Sequence, residues 1–171
     1  LENNPGSSLS YCKLDSSDFY NNSARFGGAV HFDTMPFLIS FCNFSQNWAN
    51  SSGGAIQLGC KGSETCESEI RQSYFGSNLA KTEGGAIKWQ ETKPELKEVK
   101  FTKNNAIYGR SISSYPVGIR FEASNNTSKK SGNSHAIEVV PGKQLEESIT
   151  FSLVDHYGNI VVLDTSSIAT L

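Results

Sequence analysis

The side chains able to do chemistry are scattered along this chain. Histidines stand at 31, 135 and 156 and cysteines at 12, 42, 60 and 66, with no Cys-x-x-Cys among them. Zinc sites need such ligands at short, matched spacings, so neither zinc nor any other cofactor is expected. Cys60-Lys-Gly-Ser-Glu-Thr-Cys66 reads as a small disulfide-closed loop, which would leave Cys12 with Cys42. Other connectivities and four free thiols stay open. Asn-x-Ser/Thr sequons at Asn21, Asn43, Asn50, Asn125 and Asn126 make N-linked glycans expected partners and favour an oxidising, extracellular address. Carboxylate chemistry would need pairs facing each other across neighbouring elements, or a cluster holding Ca²⁺. Asp15, Asp18 and Asp33 crowd the first part of the chain but do not recur at matched positions later. His31, with no partner in sequence, reads as a solvated strand residue.

The elements that must position these residues come from a repeat. Phe44-Ser-Gln-Asn47-Trp48-Ala49 leads to Gly53-Gly54-Ala55-Ile56-Gln57-Leu58. The same pattern runs from Phe19 and Asn22 to Gly27-Gly28-Ala29-Val30-His31-Phe32, and from Phe75 and Asn78 to Gly84-Gly85-Ala86-Ile87-Lys88-Trp89. A worn copy has Phe101 and Asn104, then Gly109-Arg110-Ser111-Ile112. Successive copies are offset by 25, 31 and 26 residues. Periods of this size mean a solenoid or array. Gly-Gly pairs and β-branched residues oppose helix. A rung of roughly 25 residues suits three short strands and three turns, and rungs stacked about 4.8 Å apart give three parallel sheets around one apolar column. The expected fold is all-β, a right-handed parallel β-helix followed by a short antiparallel β segment, the hand following that of parallel crossovers.

Physical roles follow for the repeated residues. The phenylalanines stack inside, and the asparagines ladder a turn while tolerating left-handed backbone. The small alanines (24, 49, 80, 106) fit a tight corner. The Gly-Gly pairs supply positive φ or close approach. Alternation sends Val30/Phe32, Ile56/Leu58 and Ile87/Trp89 inward. It sends Ala29, Ala55, Ala86, His31, Gln57, Lys88 and Ser113 outward, which makes His31/Gln57/Lys88 a candidate binding face. Trp48, in the turn after Asn47, either covers a corner or offers a contact. The longest step places an insertion at Gly59–Glu69, around Cys60 and Cys66, and insertions of this kind map to loops on one face.

Phe-x-x-Asn-x-Ala followed by Gly-Gly-Ala-Ile or Gly-Gly-Ala-Val resembles the polymorphic outer membrane protein repeat of bacterial autotransporter adhesins, with similar repeats in large surface proteins of protists. The resemblance covers residues 19–112. It implies a right-handed parallel β-helix, surface display and adhesion. The last copy departs at Arg110 and Ser111, read as the end of the solenoid near Ser114. Further on, Phe151 to Val161 is similar to strand–turn–strand segments of immunoglobulin-like adhesin domains.

The domain reading is 1–18 as an N-terminal cap or the end of a preceding rung, 19–114 as the repeats, 115–134 as a polar linker, and 135–171 as a β segment. That last part is a truncated sandwich, a cap on the solenoid, or strands that complete a neighbour's sheet. A net charge of −2 gives no footprint for nucleic acid, and no apolar run is long enough to span a bilayer, so no membrane contact is expected in this segment. The opening Leu1-Glu2-Asn3-Asn4, without Met or an apolar signal, reads as part of a longer precursor. The functional expectation is a non-enzymatic, glycosylated structural or adhesive module at the cell surface. It would act as a single-chain spacer, contact other surface proteins, or self-associate head to tail into filaments. The alternative is a β-helix lyase or hydrolase acting on polysaccharides.

Overall fold

The computed structural model describes residues 11–60, 66–123, 129–131, 134–136 and 149–162. The strands fall into four rungs. The first is β1 (Cys12–Asp15), β2 (Asp18–Tyr20), β3 (Ser23–Ala24) and β4 (Val30–Asp33). The second is β5 (Phe37–Ser40), β6 (Asn43–Ser45), β7 (Trp48–Ala49) and β8 (Ile56–Gly59). The third is β9 (Ser68–Arg71), β10 (Tyr74–Gly76), β11 (Leu79–Ala80) and β12 (Ile87–Trp89). The last has β13 (Glu95–Lys97), β14 (Lys100–Thr102) and β15 (Ile112–Ser113). Each strand pairs in parallel with its counterpart one rung away, as in β1-β5-β9-β13 and β4-β8-β12-β15. This is the stacked parallel architecture that the repeat implies. Four ladders form rather than three, because the two-residue corner strands β3, β7 and β11 pair among themselves. The first rung opens at Cys12, upstream of Phe19, since β1 lies in register on β5.

Inside the column the register places Phe19, Phe44, Phe75 and Phe101 one above another. Their ring centroids are 4.6, 4.7 and 5.3 Å apart, and the rings of the first two pairs are almost parallel. Phe44 and Phe75 are wholly buried, with Ile39, Ile56, Ile70 and Ile87 completing the core. Burying such a side chain stabilises by roughly 1.5–3 kcal/mol. A second stack, Phe32 on Phe37 at 4.3 Å, links the end of one rung to the start of the next.

Three left-handed bends recur in every rung, and Thr34 and Glu91 add a fourth after β4 and β12. Gly27, Gly53, Gly84 and Gly109 have φ between +56° and +65°. The asparagines themselves are not the left-handed residues: that role falls to the residue before each, Asn21, Gln46, Ser77 and Lys103. A further corner uses Ser16, Phe41, Gln72 and Glu98, which share no chemistry. The ladder asparagines instead bind across rungs. The amide of Asn47 donates to the Phe19 carbonyl and to Asn78 Oδ1, while its own Oδ1 receives the Asn22 backbone N–H and side-chain amide. Asn78 repeats the pattern onto Asn104. All donors and acceptors of a buried amide are thereby used, as burial requires.

Residues 115–134, expected to be linker, contain two strands. β16 (Pro116–Ala123) pairs antiparallel with β19 (Ile149–Asp155), and β17 (Lys129–Ser131) pairs with β18 (Ser134–Ala136). Within the expected 135–171 β segment, Ile160 forms an isolated bridge to Val154, and residues 137–148 and 163–171 lie outside the described residues. The turn after β19 is pinned to the column. Buried Asp155 accepts the N–H groups of Ser114, Tyr157 and Asn159, and Asn159 Nδ2 donates to the Ile112 carbonyl. Trp89 donates to the Tyr157 hydroxyl and packs against the rings of Tyr115, His156 and Tyr157.

Candidate functional site

The expected outward row is the natural place to look for a site, and two of its members prove to be interior. His31 is exposed and tilts against Phe26, but Gln57 and Lys88 are only 7% and 3% exposed. Ser113 is wholly buried as well, and so are Ala55 and Ala86, which precede the strand proper and join the core. The cause is the Gly-Gly bend. It folds the residue before each pair toward the side chain five positions later, so Ser52 covers Gln57 and Glu83 covers Lys88, while Phe26 only tilts against an exposed His31. The Ser52 hydroxyl donates to Gln57 Oε1 at 2.9 Å. Lys88 Nζ donates to the Glu83 carboxylate and, at 2.8 Å, to the Ser114 carbonyl. The Tyr108 hydroxyl also donates to Glu83, and its ring lies 6.0 Å from Lys88 Nζ. A buried ammonium held this way is a structural ion pair, closed to ligands.

What faces solvent is elsewhere. Trp48 and Leu79 are paired in register on the corner ladder, each 40% exposed. Tyr20 and Tyr74 are exposed on the β2–β6–β10 face, with the Tyr20 hydroxyl donating to Gln46. The sequons divide. Asn21 and Asn50 are exposed in turns, whereas Asn43 is half-buried on β6 with its Oδ1 shut away from solvent and unbonded. Asn125 and Asn126 lie outside the described residues.

The cysteines also divide. Cys60 and Cys66 form a disulfide, Cα atoms 5.9 Å apart, at the base of the insertion. Cys12 and Cys42 are free thiols, so the pairing expected for them does not occur. Register explains it: Cys12 sits beside Phe37, while Cys42 lies past the far end of β5, next to Ser17 and Ser73 of the adjoining rungs. Burial pushes the Cys42 thiol above its ordinary value, which keeps it protonated and unreactive.

Sequence reasoning missed one carboxylate pair. β13 on β9 sets Glu95 beside Glu69 on adjacent rungs of the outer face. They border a surface groove of about 430 Å³ that Lys93 and Thr92 also line. Lys97 Nζ donates to both, at 3.0 Å to Glu69 and 3.1 Å to Glu95, and Arg71 Nε lies 4.0 Å from Glu69. Those two carboxylates hold the Lys97 ammonium above its ordinary range. Lys97 and Arg71 thus offset the charge of the pair. Among the described residues no group of His, Cys, Asp or Glu side chains is placed to hold a metal. The strand β9 follows the insertion and carries none of the repeat's marker residues, so nothing in the motif announced its register with β13.

Comparison with known proteins adds one finding. No curated protein and no solved structure matches the chain. Residues 41–59, which hold β6, β7, β8, the ladder residue Asn47 and the bend at Gly53-Gly54, match a family model. The second rung is therefore similar to the Chlamydia polymorphic membrane protein repeat.

Proposed function

We propose that this chain is a non-enzymatic structural segment of a surface-displayed protein, an adhesive or spacer module carrying N-linked glycans. The observation that supports it most is where the repeated residues go. Phe44, Asn47 and Gly54 and their counterparts all make rung-to-rung contacts, so recognition is left to positions that vary, such as Trp48, Leu79, Tyr20 and Tyr74. Similarity of the second rung to a membrane-protein repeat points to the same setting.

Expression through a secretory pathway tests the address. Mass spectrometry should find glycan at the exposed Asn21 and Asn50 and little at Asn43, with two thiols free to alkylation in the denatured chain. Bare sequons and four free thiols would overturn the extracellular reading. Size-exclusion chromatography across a dilution series separates a single-chain spacer from head-to-tail assembly, since only the latter shrinks on dilution.

The polysaccharide-enzyme reading has one specific support, the Glu69/Glu95 pair. Release of reducing ends or unsaturated products from acidic polysaccharides, lost in Glu69→Gln, would install that reading in place of ours.

A further inference from the structure

The fourth rung differs from those below it in what it leaves open. In the third rung the backbone N–H groups of Gly84, Gly85, Ala86 and Ile87 donate to the carbonyls of Tyr108, Gly109 and Ser111 above, at 2.9–3.2 Å. Their counterparts Gly109, Arg110, Ser111 and Ile112 meet no acceptor among the described residues. These residues line a groove of about 620 Å³, which Arg120 and Tyr157–Ile160 also line. Gly109 is left-handed, φ +59°, so successive N–H groups turn toward a common side, the concave arrangement that receives anions.

Arg110 decides what can enter. A Cβ on Gly85 would stand 2.1 Å from the Arg110 carbonyl, and one on Gly54 2.0 Å from the Gly85 carbonyl. The Cβ of Arg110 accordingly fills the place that the carbonyl of a further rung would take, and blocks another rung of the same geometry. The same substitution puts an exposed arginine on the lining of the groove, beside Arg120, which spends one N–H on the Gly158 carbonyl at 2.8 Å. Among the described residues no Asp or Glu lines the groove, and Ile107 and Ile160 give it exposed apolar shoulders.

We infer that this groove is an oxyanion site for a carboxylate-bearing ligand, the carboxylate accepting from the Gly109–Ile112 backbone and pairing with Arg110. The ligand's body would rest on Ile107 and Ile160. Both an acidic saccharide and an aliphatic acid supply that chemistry.

The test titrates the full chain with glucuronate, glutarate and, as a neutral control, glucose, while amide ¹H–¹⁵N shifts are followed. Glucuronate or glutarate should move the amides of Gly109–Ile112, and glucose should not. The tighter acid identifies the source of the carboxylate. Arg110→Gln should weaken binding at least tenfold, and Arg25→Gln, a distant exposed arginine, should leave it unchanged. The inference is overturned if glucose binds as well as glucuronate, if neither acid shifts these amides, or if Arg110→Gln binds normally.

Discussion

The second and fourth rungs share a sequence pattern yet differ in what the pattern must do. Gly54 lies under the Gly85 carbonyl with no space for a side chain, whereas its counterpart Arg110 is an exposed arginine. Phe44 is sealed between two rings, whereas Phe101 is only partly buried. Asn47 serves both neighbouring rungs, whereas Asn104 receives from Asn78 and donates to the Phe75 carbonyl, with no further rung above it among the described residues. A repeated residue is therefore demanded by the rung stacked on it more than by its own rung. Where that rung is absent among the described residues, the sequence relaxes.

The comparison breaks most visibly at the second glycine. Gly54→Ala should destabilise by roughly 4 kcal/mol, because backbone on the rung above must move to admit the methyl group. Arg110→Gly should change stability by less than about 1 kcal/mol, the entropic cost of a glycine. Urea unfolding followed by circular dichroism reads both. Similar losses at the two positions would mean that stacking does not explain the departure at Arg110.

The asparagine ladder gives a somewhat smaller contrast. Asn78→Ala removes the acceptor of the Asn47 backbone N–H, one of the two acceptors of the Asn47 side-chain amide and the amide donor to the Phe44 carbonyl, while Asn104 Oδ1 keeps the backbone N–H of residue 78; each buried group left unpaired costs about 1–3 kcal/mol. A loss of about 3 kcal/mol is expected. Asn104→Ala should cost about half as much, since it serves one neighbour.

The covered row sharpens the comparison from outside the core. Lys88→Ala leaves Glu83 ionised without its ammonium and should cost about 3 kcal/mol, while Gln57→Ala in the second rung should cost about 1 kcal/mol. Replacing both Lys88 and Glu83 by Met and Leu should restore most of the loss, because no charge is then stranded. A double variant no better than Lys88→Ala would assign the cost to packing alone.

These contrasts also show which parts of the molecule the sequence could disclose. Phe, Asn and Gly-Gly were legible because each has one physical job and repeats it. The disulfide of the insertion was legible from its short spacing. The corner at Ser16, Phe41, Gln72 and Glu98 was not, because stacking imposes left-handed backbone there on residues with no common signature. The burial of Gln57 and Lys88 was hidden because strand alternation ignores a chain that doubles back at Gly-Gly. β16 escaped because its Pro116, Gly118 and Arg120 obscure a strand pattern, and its partner β19 is distant in sequence.

The smallest expected effect lies where the column meets the C-terminal turn. Burial raises the Tyr157 phenol above its ordinary value, the hydrogen bond from Trp89 acts the other way, and the nearby Asp155 charge adds to the rise. The folded form thus holds its proton at pH values where the unfolded chain gives it up. The resulting stabilisation is complete below the usual phenol value of about 10 and is lost as pH rises through the folded value. Because Trp89 touches Tyr115, His156 and Tyr157 together, loosening of this turn should appear first in Trp89 fluorescence, while far-ultraviolet dichroism of the rungs stays unchanged. Tyr157→Phe removes the ionisation and should abolish the alkaline fluorescence step. A Trp48→Phe background isolates the signal, since Trp48 is the chain's other tryptophan and stands exposed on the corner ladder. If the step survives in Tyr157→Phe, the turn is held by Asp155 alone and the aromatic contact contributes nothing to its docking.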